Sequence, residues 1–76
     1  MNIIIWVDHY TDGPVGVAYG PEANREVLQR KAKAQAYKHR CARLLAGELA
    51  SPSDYTMGET RDDEGKTGRG KYTVLP

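Results

Sequence analysis

Seventy-six residues, 39% hydrophobic and 28% charged with a net charge of +1, describe one small globular unit. A chain of this length buries only about 60% of the surface it exposes when unfolded, so its own core is thin. No apolar run approaches the ~20 residues that cross a bilayer, and the lone cysteine, Cys41, excludes an intrachain disulfide and a thiolate metal cluster. Solitary cysteine use suits a reducing compartment, and a cytoplasmic location with no membrane partner is expected.

The opening MNIIIWV lacks a basic leader region and runs into Asp8, so it reads as a strand. NIIIWVDHY is rich in β-branched and aromatic residues, TDGP is a turn cluster, and VGVAYG alternates until Gly20 and Pro21. Residues 1–20 are therefore a β-hairpin. Pro21 or Glu22 opens a basic amphipathic helix over 21–50, with Glu22 and Glu26 near its positive end and Arg40 and Arg43 toward the other. The helix is expected to stop near Leu49, before SPS. DYTMGET and GKYTVLP then read as strands around the turn RDDEGKTG, a second hairpin over 51–76. The fold class is α+β, ββαββ, a small antiparallel sheet with one long helix on one face.

At about 100° per residue, Ala23, Val27, Ala34, Cys41 and Leu45 share one stripe of the helix, with Tyr37, Leu44 and Leu49 at its margins. This stripe is expected to face the sheet. The opposite side collects Arg25, Gln29, Ala32, Lys33, Ala36, His39, Arg40 and Arg43. On the sheet, a turn at Asp12 and Gly13 sets Tyr10 against Val15, Asp8 against Val17 and Trp6 against Tyr19. Ile3, Ile5, Val7, Gly16 and Ala18 then lie beneath the helix, where the small residues leave room for it. Ile4, Trp6, Tyr10, Val15, Val17 and Tyr19 occupy the other face, an aromatic surface that a partner or a second copy of the chain would cover. A bulge in the loop would exchange the two faces.

Several motifs carry no chemistry. GKTGRGK has Thr60 where a phosphate loop needs glycine, and a strand is expected after it. In DHYTD, alternation points Asp8 and His9 to opposite faces, so they do not share a metal ion; His39 and Cys41, about 200° apart on a helix, do not either. Cys41 reads as a small buried hydrophobe, and DDE at 62–64 as a solvated loop. No nucleophile, base and orienting group appear together, and neither an enzyme, a cofactor nor a metal site is expected.

What remains is surface. Arg25, Lys33, Arg40 and Arg43 cluster on one side of the helix with no acidic residue interleaved on that side, and Trp6, Tyr10 and Tyr19 share the sheet face. These seven are the candidate partner-binding residues. The expected function is a small non-enzymatic inhibitor or adaptor, of the kind phages and mobile elements carry. It would dock on a larger protein with an acidic or nucleic-acid-binding surface, such as a nucleic-acid-processing or defence complex. A homodimer paired through the sheet face is a further expectation. Direct nucleic-acid binding, with phosphates on the cations or bases stacked on the aromatics, is the alternative; a net charge of only +1 weighs against it.

Overall fold

The computed structural model describes residues 1–61. Within them the chain forms β1 (Asn2–His9), β2 (Gly13–Pro21), α1 (Arg25–Leu45) and β3 (Tyr55–Arg61), with single 3₁₀ turns at Glu22–Asn24 and Pro52–Asp54. The strands make one antiparallel sheet in the order β2-β1-β3, and α1 packs on one of its faces. The α+β architecture is as expected, in the order ββαβ. Arg61, expected to open the turn RDDEGKTG, is the last residue of β3; the rest of that turn, the GKTGRGK segment and the expected fourth strand lie outside the described residues.

β1 is the central strand, flanked by β2 and β3, and its apolar run from Ile3 to Val7 includes four buried residues, Ile3, Ile4, Ile5 and Val7. The core beneath the helix consists of Ile3, Ile5, Val7 and Ala18 from the sheet and Leu28, Ala32 and Ala36 from α1, with Val15 and Tyr55 packed against it. Burying isoleucine or leucine side chains of this kind contributes about 1.5–3 kcal/mol each, so a handful dominates so small a domain.

The hairpin register differs from the expected one by two residues. Trp6 stands opposite Val17 and Ile4 opposite Tyr19, while His9 pairs with Gly13. Gly13 takes φ +77°, which closes the loop at Tyr10–Asp12, one position earlier than a turn centred on Asp12 and Gly13. A slip of two preserves side-chain direction, so Ile4, Trp6, Val17 and Tyr19 do share the face away from the helix. The bulge between Val7 and Asp8 moves Val15 alone across to the helix side, a correction to its expected place. Tyr10 leaves the sheet altogether and lies in the turn.

The helix also meets the sheet with the opposite side from that expected. Leu28, Ala32 and Ala36 are buried, whereas Val27 and Leu45 from the apolar stripe are 41% and 89% exposed and Tyr37 at its margin is 63% exposed. Close approach decides this orientation. A β-carbon on Gly16 would collide with the backbone carbonyl of Ala32, so the two backbones nearly touch, and only small residues fit between them. Gln35, on the same side, donates to the Val17 carbonyl (2.8 Å) and accepts from the Val17 N–H (3.0 Å). One helix glutamine thereby occupies backbone groups of the edge strand β2, which would otherwise invite another strand.

α1 ends at Leu45, short of the expected Leu49. Gly47 at φ +82° donates to the Leu44 carbonyl (3.0 Å) and Glu48 to the Arg43 carbonyl (2.9 Å), a Schellman closure that reverses the chain. The returning segment is tied to the helix by Arg40 Nε on the Ala50 carbonyl (3.1 Å). A reciprocal cap follows: Ser51 accepts from Ser53 N–H, and the Asp54 carboxylate accepts from Ser51 N–H at 2.9 Å. The chain then enters β3.

Candidate functional site

Two features occupy the helix side of the sheet. The first is a groove. α1 lies mainly over β2 and β1, so the helix-facing side of β3 is left partly uncovered. The resulting open cavity, about 310 Å³, is lined by Val7, Ala36, Tyr37, Pro52, Tyr55 and Met57, together with the two cations Lys33 and Arg40. Met57 and Tyr37 are exposed. The combination is apolar contact area bordered by two cations.

The second feature is a polar cluster where the β1–β2 turn meets the C-terminal part of α1. His9, at the end of β1, is buried to 1% exposure, and its Nδ1 accepts from the N–H groups of Thr11 and Asp12, both at 3.3 Å. Its Nε2 is also buried and has no hydrogen-bond partner among the described residues. Asp12 Oδ2 lies 2.7 Å from His39 Nε2, 3.7 Å from His9 Nδ1 and 3.4 Å from Arg43 Nη1. The hydrogen bond from His39 holds the Asp12 carboxyl below the usual aspartate range, aided by His9 and Arg43. His39 Nδ1 in turn lies 2.8 Å from the Tyr55 hydroxyl. Burial pushes the Tyr55 phenol above the ordinary tyrosine value.

The four candidate cations divide between these surroundings. Arg25 is clamped by Glu59 (2.7 Å) and Glu22 (3.0 Å); the hydrogen bonds it donates to Glu59, then to Glu22, raise its pKa far above the usual arginine value, and the same guanidinium holds Glu59 below the usual glutamate value. Arg43 is shared between Asp12 and Glu48. Lys33 and Arg40 make no ion pair among the described residues, and both border the groove. The acidic partners missing from the helix are thus supplied by the turn, β3 and the flanking segments.

The aromatic candidates are not one patch. Trp6 lies across Gly58, where any β-carbon would overlap its ring, and donates Nε1–H to Thr60 Oγ1 at 3.1 Å. Tyr19 accepts from Asn2 at 3.0 Å on the same face. Tyr10, 73% exposed, lies with its ring tilted against His9 at the turn, 4.7 Å between ring centroids.

Comparison with family models, with curated proteins and with solved structures finds no match to this chain. Its function rests on its own geometry.

The groove and the cluster both escape a reading of local sequence. The groove exists because three strands are wider than one helix. The cluster joins His39 to Asp12 across 27 positions, a contact that depends on which side of α1 faces inward. Among the described residues no helix is long and apolar enough to cross a membrane.

Proposed function

We propose that this chain is a small non-enzymatic binding module, an inhibitor or adaptor of the kind phages and mobile elements carry. It docks on a larger protein by receiving an acidic, apolar segment of that partner in the groove between α1 and β3. The observation that carries this reading is a largely apolar groove whose lining also includes Lys33 and Arg40, two cations without carboxylate partners among the described residues. An aromatic or aliphatic side chain would fill the groove, and flanking Asp or Glu would meet the two cations. A nucleic-acid-processing or defence complex, whose own surfaces handle charge, is the partner class in view. Protein is favoured over nucleic acid because Arg25 and Arg43 are already paired with carboxylates of the chain, which reduces the positive field available to phosphates.

The test uses isotope-labelled full-length chain and peptides selected from an acidic-aromatic display library, alongside single- and double-stranded oligonucleotides. Peptide binding should shift the signals of Val7, Tyr37 and Met57, weaken with salt, and fall at least about tenfold in the Lys33→Glu, Arg40→Glu double variant. Binding to oligonucleotides but not to peptides, or peptide binding indifferent to that double change, overturns the groove. So does a mass that doubles with concentration in sedimentation and reverts in Trp6→Ala, since the sheet face would then be the docking surface.

A further inference from the structure

The polar cluster has the composition and spacing of a metal-ligand set that the docking proposal does not use. His9, Asp12 and His39 each offer one ligating atom, and the three atoms lie within 4.8 Å of one another. We propose that these residues bind a divalent transition-metal ion, zinc foremost, which clamps the β1–β2 turn to α1.

The distances support it. Zinc holds nitrogen and carboxylate oxygen at about 2.0–2.2 Å, which sets tetrahedral ligands roughly 3.3–3.6 Å apart. Asp12 Oδ2 stands 2.7 Å from His39 Nε2 and 3.7 Å from His9 Nδ1, on either side of that range. Shifts on the order of 1 Å bring all three to bonding distance. The donor class agrees as well: two imidazoles and one carboxylate suit zinc and its neighbours, whereas magnesium and calcium take oxygen ligands. Three protein ligands leave a fourth position for water.

The surroundings orient the donors. In the metal-bound state His39 carries its proton on Nδ1 and donates it to the Tyr55 hydroxyl, 2.8 Å away, which leaves the Nε2 lone pair directed at Asp12. A fixed partner for the non-ligating nitrogen is what histidine ligands ordinarily have. His9 is held among the rings of Tyr10, Tyr55 and His39, with centroids 4.7–5.1 Å apart. Its Nδ1 gives up two long 3.3 Å backbone contacts and the Thr11 hydroxyl at 3.0 Å on binding.

Arg43 opposes the ion, since its Nη1 lies 3.4 Å from Asp12 Oδ2. It also lies 3.6 Å from Glu48 Oε2, and its Nη2 reaches the Leu49 carbonyl at 3.4 Å, so a small rotation transfers it wholly to the helix end. Without metal the same cluster is a hydrogen-bonded His39–Asp12–Arg43 network, and the experiment separates the two.

Full-length protein at neutral pH is titrated with zinc chloride by calorimetry, with magnesium chloride as contrast, and its imidazole signals are followed by NMR. Expected are one zinc per chain, a raised melting temperature, no response to magnesium, and shifts of the His9 and His39 imidazoles complete at one equivalent. His39→Gln and Asp12→Asn, both changes at side chains with solvent access, should weaken zinc binding at least about tenfold, while Cys41→Ser leaves it unchanged. Absence of binding at sub-millimolar zinc overturns the site, as does unaltered affinity in His39→Gln or loss in Cys41→Ser. If either ligand variant loses its circular-dichroism spectrum, the wild-type imidazoles decide: zinc-induced shifts that bypass His9 and His39 refute the assignment.

Discussion

A missing methyl group sets how close the helix sits. At Gly16 the obstacle to a β-carbon is the Ala32 carbonyl, with the Ala32 carbonyl carbon and Ala36 nitrogen next, and all three are backbone atoms that cannot rotate aside. Gly16→Ala should therefore push α1 outward and cost about 1–3 kcal/mol, read as a lower urea midpoint at unchanged slope. An unchanged midpoint would mean that the helix backbone is not in contact with the sheet. Part of this is legible in sequence, because Gly16 and Ala18 are small where a helix needs room. The partner residues Ala32 and Ala36 are not, since alanine is equally at home on an outer helix face.

At the scale of elements, the helix shows why an apolar stripe is an unreliable guide in so small a domain. The stripe of Val27 and Leu45, with Tyr37 at its margin, has the larger side chains, yet the sheet accepts the side carrying Leu28, Ala32 and Ala36. Packing against a glycine-bearing strand rewards closeness over bulk, because near backbones bury Ile3, Ile5 and Val7 more completely than a spaced interface would. Leu28→Ala should cost about 2–5 kcal/mol in chemical denaturation, whereas Leu45→Ala should stay within about 0.5 kcal/mol. The reverse ranking would restore the stripe to the core. The inverted face also explains the sites: it turns His39 toward the sheet, where it meets Asp12 and Tyr55, and carries Arg25 to Glu59.

For the molecule as a whole, carboxylates fasten the helix to the sheet near both ends, Glu59 to Arg25 and Asp12 to His39 and Arg43. Both carboxyls are lowered in the folded state. A lowered folded pKa stabilises above the unfolded values, about 3.9 for aspartate and 4.3 for glutamate, and that contribution disappears as pH falls through the folded values. Tyr55 acts at the other end of the scale: its raised phenol withdraws stability as pH climbs through about 10, where the unfolded chain ionises first. Melting temperature against pH should thus fall below about 4 and again above about 10. Glu59→Gln should flatten the acid limb and Tyr55→Phe the alkaline one; limbs unaffected by these changes would show that the pairs contribute nothing to folding.

The order of elements, the burial of β1 and the sidedness of Trp6 and Tyr19 follow from sequence alone. Strand and helix formers, turn residues and alternation are local properties, and a register error of two leaves side-chain direction intact. Which face of α1 turns inward, where the groove opens and how His9, Asp12 and His39 meet were decided only in three dimensions. Each depends on the distance between a helix and a sheet, and that distance is set by residues far apart in the chain whose fit no local pattern records.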